Sequence, residues 1–354
     1  MGHLNKSQQA ALDEFKRLAA EEGLFTPAGA GEEKQGEDTQ EDGAESAAET
    51  KVPPGRREAS HDDATLVRFL RARKFVPADA LDQFRQAEQW RRENRVAELY
   101  ENFDVDAFKD TQPYYIQWIG TRDKMGLPVY VYSIKHLTNK TVHAYNARCA
   151  SVPPAPTHVD HAATPPKMLR IIGLYEHTFR FVLPLCSALG DRPHAHTPVS
   201  NGTSIVDVGG VGLKQFWDLK GFMQEPAGMA QLCYPESMGR MFIVNVPFFF
   251  QKVWGWIKVW FDPVTVAKIS ILGREETKTV LREFVDDKAL PKQYGGTLDW
   301  EFGMPPACDE GVKTALGGRW WEGPVVWEAG EKGRRVKVVG TVEGKERREE
   351  VELD

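Results

Sequence analysis

The chain has 354 residues, 41% hydrophobic and 10% aromatic, with 45 basic and 51 acidic side chains. That length holds one large or two modest domains with a sizeable core. Residues 1–60 carry 13 acidic and 7 basic side chains, which accounts for the whole net charge of −6 and leaves the remainder neutral. Neither a nucleic-acid-binding surface nor a strongly acidic one is expected.

The four cysteines, Cys149, Cys186, Cys233 and Cys308, are widely spaced and form no paired motif, so no zinc site or disulfide framework is expected. No charged-then-apolar leader opens the sequence, and the reading is a reduced, cytosolic protein without metal or cofactor.

In chain order, residues 5–22 read as a short amphipathic helix through Leu12, Phe15 and Leu18. The stretch 27–60 turns to Gly, Ala, Glu, Asp and Pro, with eight acidic residues between Gly31 and Thr50. Such a segment cannot bury enough apolar surface to offset its ordering entropy and reads as a disordered insert. Order resumes at His61. Asp62 or Asp63 caps a helix bearing Leu66, Phe69 and Leu70 on one face, and this helix ends in four cations, Arg68, Arg71, Arg73 and Lys74. A second helix runs from Ala78 to Asn94.

Strands and helices then alternate. Pro128–Ile134, Thr203–Val208 and Met241–Val246 are short apolar runs of the length of buried strands. Helical patterns cover Leu169–Leu183, Leu213–Met229 and Pro263–Ile269. The alternation predicts an α/β fold with helices packed on a mixed sheet. The Pro-rich stretches Ala150–Pro166 and Gly190–Gly202 read as loop insertions. A hairpin is predicted from Val325 to Val339. The expected organisation is an N-terminal helix in 1–26, the acidic insert 27–60, a helical region 61–110, the α/β body 111–303, and a tail 304–354 without an assigned role.

Catalytic motifs are missing. Gly209, Gly210 and Gly212 follow a strand, but the third glycine of a dinucleotide fingerprint would fall at Gln215. There is no G-x-S-x-G nucleophile elbow. His158 with His161, and His194 with His196, have ligand-like spacing but lie in Pro-rich loops without an acidic or thiol cluster. No enzyme activity is expected.

Binding chemistry concentrates in Pro247–Lys268. Phe248, Phe249, Phe250, Trp254, Trp256, Trp260 and Phe261 place seven aromatics close together. Phe250, Val253, Trp254, Ile257, Trp260 and Phe261 follow helical spacing, with Trp256 and Val259 on the opposite side. A helix apolar nearly all round is normally buried in protein or lipid, and this one is too short to span a bilayer, which needs about 20 residues. Next, Asp262 is a helix N-cap and Pro263 suits the first helical position. Thr265 then sits in the first turn, where free N–H groups favour an anion, and Lys268 falls on the same side. An anion seat against an apolar wall suits a phospholipid.

The stretches HDDATLVRFLRARKF, YPESMGRMFIVNVPFFF, FDPVTVAKISILG and LPKQYGG closely resemble the CRAL-TRIO lipid-binding domain and the helical region before it. The nearest subgroup is the fungal phosphatidylinositol-transfer proteins of the secretory pathway. The resemblance covers about residues 61–300 together with the N-terminal helix. It implies a lipid cavity floored by a mixed β-sheet and closed by a mobile helical gate. The gate residues would be Phe248, Phe249, Phe250, Val253, Trp254, Trp256, Ile257, Trp260 and Phe261. It also implies that a phosphatidylinositol headgroup is held by Arg73, Lys74, Glu236, Thr265 and Lys268.

Relatives that carry phosphatidylcholine imply a second, choline-type site at Tyr130, Tyr175 and Ser204. Here the chain departs from the pattern. Gly202 replaces a serine, Ser204 a threonine, Ile119 a tyrosine, and Ser237 a basic residue. Expected partners are a phospholipid, transient Golgi or endosomal membrane surfaces and a phosphoinositide kinase, with the protein a cytoplasmic monomer. The alternative is a carrier or sensor for a sterol, an isoprenoid or another phospholipid.

Overall fold

The computed structural model describes residues 4–28, 59–155, 164–260, 263–330 and 333–353. The acidic insert expected at 27–60 and the histidines at 158 and 161 therefore lie almost entirely outside the described residues. The chain divides into two compact units at Arg85/Gln86, within helix Pro77–Glu93.

In the 4–85 unit, helix Lys6–Glu21 starts at Asn5, whose side chain accepts from Gln8 N while the Gln8 side chain accepts from Asn5 N. This reciprocal cap satisfies two otherwise orphaned donors. Leu12, Phe15 and Ala19 are buried, with Leu18 only half-buried. Helix Asp63–Ala72 is capped by Asp62, which accepts from Thr65 N at 2.7 Å. Its apolar face buries Leu66, Phe69 and Leu70 as the pattern predicts. Phe15 and Phe69 each meet the Phe84 ring edge-on, at 5.6 and 5.1 Å between centroids, the preferred geometry for aromatic pairs.

The larger unit is built on a five-stranded sheet: β1 (Gln117–Arg122), β2 (Pro128–Ser133), β3 (Gly202–Asp207), β4 (Met238–Val244) and β5 (Ile269–Ile271). The spatial order is β1-β2-β3-β4-β5, with β1 antiparallel to β2 and the remaining neighbours parallel. The predicted mixed sheet is observed. β5 overturns one expectation, since the helix placed over Pro263–Ile269 stops at Ala267 and Ile269 begins a strand. The helix expected over Leu213–Met229 is two helices, Leu213–Gln224 and Ala227–Cys233, split at Pro226, because proline cannot supply the helical N–H. The helix expected over Leu169–Leu183 runs from Pro166 to His177, widens into a π-turn at Thr178–Val182 and continues to Ala188.

Pairing register sorts the side chains between two faces, because successive strand residues alternate. Val129, Val131, Ile205, Phe242 and Val244 share the first face and are completely buried with Leu281 and Val285 of the final crossing helix, Arg274–Phe284, and its exit. Two lateral rows occupy the second face: Tyr130, Ser204, Met241 and Ile269, then Tyr132, Val206, Ile243 and Ile271. The β2-to-β3, β3-to-β4 and β4-to-β5 connections each step one strand in the same direction. Right-handed crossovers then put all three on one side of the sheet. Thr178, in the β2-to-β3 connection, bonds Tyr130 and identifies that side as the second face.

The tail is an integral part of this unit. Helix Glu310–Ala315 is capped by Asp309, and β6 (Val325–Gly330) and β7 (Gly333–Val338) form the predicted hairpin. After a small pair, β8 (Thr341–Val342) and β9 (Lys345–Glu346), β10 (Glu349–Leu353) joins β7 to complete a three-stranded sheet. Leu316, Val336, Val338 and Leu353 are buried in one cluster with Trp118, Phe181 and Leu185. Arg122 on β1 ties Asp309 and Asp191 together, at 2.9 and 2.6 Å. The Pro-rich loop after Gly190 is held by Arg192, whose guanidinium donates to the carbonyls of Cys186, Ser187, His194, Ala195 and Thr197.

Candidate functional site

Glu236 lies two residues before β4 and Lys268 immediately precedes β5. Because those strands are parallel neighbours, their N-terminal ends lie side by side. Lys268 Nζ donates to Glu236 Oε2 at 2.9 Å and approaches the Met238 carbonyl at 3.4 Å. Both side chains are about three-quarters buried. An ammonium carries three donors and an ionised carboxylate about four lone-pair sites, so the contact leaves capacity on both groups. Thr265 lies in the short helix Pro263–Ala267, and its carbonyl accepts from Lys268 N at 3.0 Å. The cap expected at Asp262 lies outside the described residues.

Arg73 and Lys74 belong to the 4–85 unit. Arg73 ends helix Asp63–Ala72, and both cations are exposed, whereas Arg68 is buried. Lys74 and Phe75 are consecutive left-handed residues, φ 52° and 60°, a conformation costing roughly 1–2 kcal/mol per non-glycine residue. Glu236 shares it, at φ 55°. Of the five expected headgroup residues, Lys74 and Glu236 thus sit on strained backbone and Arg73 beside it, in keeping with the tendency of such strain to collect at functional sites.

Beyond Glu236 and Lys268, the second sheet face offers apolar ground. Val206, Met241, Ile269 and Ile271 are half-buried, in contrast to the sealed first face. The expected gate is the β4-to-β5 crossover. It forms an α-helix over Phe250–Ile257 and a tighter turn over Lys258–Trp260. Its side chains are divided: Phe250 is 3% exposed, while Phe248 is 97%, Val259 73% and Trp256 48% exposed. The helix is therefore not buried all round. Its outer side carries Trp256, whose ring meets Trp217 edge-on at 5.6 Å. Phe249 and Trp254 are half-buried, and Gly255 is exposed. A Cβ at Gly255 would meet nothing within 4 Å, so close packing does not require the glycine. The side chains of Val253, Ile257 and Trp260, and Phe261 altogether, are outside the described residues.

Of the choline-type residues, Tyr130 and Ser204 are direct partners across β2 and β3. Tyr130 OH donates to Thr178 Oγ1 at 3.4 Å, and its ring lies against Gly202, where an added Cβ would come within 2.8 Å of it. The glycine that departs from the relatives' serine makes room for this ring. Tyr175 stacks on Tyr234 at 4.9 Å, and Phe179 stacks on Tyr234 at 5.0 Å. Burial pushes the Tyr175 phenol up to about 12.

Motif reading missed an ionic cluster. Arg91 grips Glu176 through Nη1 at 2.7 Å and Nη2 at 3.3 Å, and Tyr234 OH donates to Glu176 Oε1 at 2.5 Å. Burial pushes the Glu176 carboxyl upward, but the Arg91 charge and the hydrogen bonds from Arg91 and Tyr234 outweigh it and hold the group below its usual range. Burial, reinforced by the Glu176 charge, raises the Tyr234 phenol well above normal. The single local signal was Tyr234, two residues before Glu236. His194 and His196 have ring centres 6.2 Å apart, and among the described residues no group of three or more His, Cys, Asp or Glu could hold a metal. Among the same residues no helix is long and apolar enough to cross a membrane.

The CRAL/TRIO domain family model matches residues 112–296, and the CRAL/TRIO N-terminal domain model matches residues 11–86. The SEC14 cytosolic factor of Eremothecium gossypii is 33% identical over 239 residues, covering 67% of this chain and 70% of the relative. The Sec14 cytosolic factor of Schizosaccharomyces pombe is 28% identical over 326 residues, covering 91% and 90%. The phosphatidylinositol/phosphatidylcholine transfer protein SFH12 of Arabidopsis thaliana is 31% identical over 242 residues, covering 67% of this chain and 40% of that protein. The crystal structure of Sfh5 aligns with a TM-score of 0.55 at 18% identity, covering 90% of this chain and 98% of that one, which speaks to fold alone.

Proposed function

The chain belongs to the CRAL/TRIO family, and on that premise we propose that it is a phosphatidylinositol-binding and transfer protein, enclosing one phospholipid and exchanging it at membrane surfaces. The observation that carries this reading is the meeting of Glu236 and Lys268 at the N-terminal ends of β4 and β5, beside the half-covered apolar rows of the second sheet face. An ammonium suits the phosphodiester, and a carboxylate that only accepts suits inositol hydroxyls. Thr265 would add a hydroxyl to the phosphate.

The energetics call for a sealed carrier. Two acyl chains contain about 30 methylenes, and at ~0.8 kcal/mol each their exposure to water costs roughly 24 kcal/mol. The crossover Phe250–Trp260 would close over the chains in solution and turn its aromatic side into the bilayer on docking, with Gly255 as its weak point. Presentation of the lipid to a phosphoinositide kinase, and work at Golgi or endosomal membranes, fit the same carrier. We assign it no catalytic step. The named relatives support transfer: SFH12 is called a phosphatidylinositol/phosphatidylcholine transfer protein. For phosphatidylcholine, Tyr130, Tyr175 and Ser204 would supply the site.

The test is transfer of labelled phosphatidylinositol between vesicles by the Lys268→Ala/Thr265→Val variant. Loss of transfer with an unchanged melting temperature is expected. Transfer at the original rate would refute the headgroup assignment, and mass spectrometry of the lipid co-purifying with the protein would identify a sterol or isoprenoid if one were carried instead.

A further inference from the structure

Glu236 holds a sterically costly left-handed conformation, φ 55°, and something must keep it there. The residue two positions before it, Tyr234, is among the most tightly held in the unit. Its ring stacks on those of Tyr175 and Phe179, and the Arg91 guanidinium lies 5.8 Å from the ring centre. Its hydroxyl donates to Glu176 and accepts from Arg91 Nη1 at 3.1 Å. Glu176 is 2% exposed. Between Tyr234 and Glu236 stands Pro235, whose ring locks one of the few torsions linking them. Three helices thus converge on the root of the Tyr-Pro-Glu turn: Pro77–Glu93 through Arg91, Pro166–His177 through Glu176, and Ala227–Cys233 through Tyr234 at its exit.

We infer that Arg91 and Glu176, acting through Tyr234, are positioning residues for Glu236 and thereby set the protein's preference for an inositol headgroup. Fixing the phenol fixes the turn, and the turn aims the Glu236 carboxylate at Lys268. A hydrogen-bonding group discriminates between ligands only when its direction is set before the ligand arrives. Without the anchor, Glu236 would relax from its strained conformation and the apolar ground of the sheet would still take acyl chains. Total lipid binding would persist while headgroup selectivity fell. This inference rests on the headgroup reading above.

The full chain is loaded from vesicles of equal parts phosphatidylinositol and phosphatidylcholine, and bound lipid is quantified by mass spectrometry. Glu176→Gln, and Tyr234→Phe, which retains the ring stack and loses only the hydroxyl, should each lower the phosphatidylinositol-to-phosphatidylcholine ratio about tenfold, the scale of one lost charge-assisted hydrogen bond. Lipid bound per protein should stay constant. Glu236→Ala should lower the ratio similarly, and adding Glu176→Gln to it should change nothing further, because the anchor then has no carboxylate to aim.

An unchanged ratio in both Glu176→Gln and Tyr234→Phe, with Glu236→Ala effective, overturns the inference and leaves the headgroup site standing. A further drop in the double variant also overturns it, since Glu176 would then act independently of Glu236. If neither Glu236→Ala nor Lys268→Ala alters the ratio, the headgroup reading fails and this inference with it. Should Glu176→Gln not fold, Tyr234→Phe carries the same test.

Discussion

Phe248 is 97% exposed, and replacing it by alanine separates folding from membrane docking. A phenylalanine can bury ~200 Å², so at about 25 cal/mol per Å² nearly 5 kcal/mol of apolar burial is unused in this structure. Trp256, 48% exposed, holds roughly 3 kcal/mol more on the same scale. If a bilayer interface withdraws about half of each ring from water, Phe248→Ala should weaken vesicle binding by about 2.4 kcal/mol, or about fifty-fold. Adding Trp256→Ala should bring the loss to about 600-fold. Folding should be untouched by Phe248→Ala, because substitutions at exposed positions usually stay within about 0.5 kcal/mol. The buried neighbour Phe250 supplies the contrast: Phe250→Ala should cost about 3–5 kcal/mol of stability. Vesicle sedimentation gives the affinity and chemical denaturation the stability. Equal vesicle binding by Phe248→Ala, or a large fall in its stability, would show that the exposed crossover is not a membrane-facing surface.

Three further outcomes follow from the packing around Gly202, Gly255 and His177. Gly202→Ser brings a Cβ to 2.8 Å from the Tyr130 ring and 3.0 Å from the Pro128 carbonyl, and should destabilise the protein by about 1–3 kcal/mol; an unchanged denaturation midpoint would mean that the ring shifts freely. Gly255→Ala meets no neighbouring atom and favours the helix by about 1 kcal/mol, so lipid release should slow about fivefold in a fluorescent-lipid transfer assay, and equal or faster release would remove Gly255 as the weak point. Burial holds the His177 imidazole down to about 4, below its ordinary 6.5. Between those values the unfolded chain binds the proton and the folded one does not, so stability is complete above pH 6.5 and should fall by up to roughly 3 kcal/mol as the pH drops to 4. His177→Phe should flatten that slope in denaturation curves taken across the window, and a slope shared by both proteins would assign the proton elsewhere.

What the sequence determined by itself was whatever depends on neighbours a few positions apart. The Asp62 cap, the Leu66–Phe69–Leu70 face, the apolar runs of β2, β3 and β4 and the hairpin after Val325 are all local chemistry, and each is found in the structure. The motif residues at 236, 265 and 268 could likewise be named in advance. β1 could not, because Gly120 interrupts its apolar run. The reason for the glycine is distant: φ is 89°, and a Cβ would fall 2.7 Å from Cys308 N. β5 is three residues long and gains its identity only by pairing with β4.

The tertiary structure alone decided which groups meet. Glu236 and Lys268 are 32 positions apart, and Arg91 and Glu176 are 85 apart. Parallel strand order joins the first pair and helix convergence the second, and neither leaves a spacing to read. The tail gave no motif either, yet Leu316, Val336 and Leu353 complete a core with Trp118 and Phe181. Burial is collective, so a residue's share in it becomes visible once its partners are in place. The crossover from Pro247 to Lys268 shows both sides of this. Its aromatic content was plain from the start, but which rings are covered and which face water depended on the sheet beneath it.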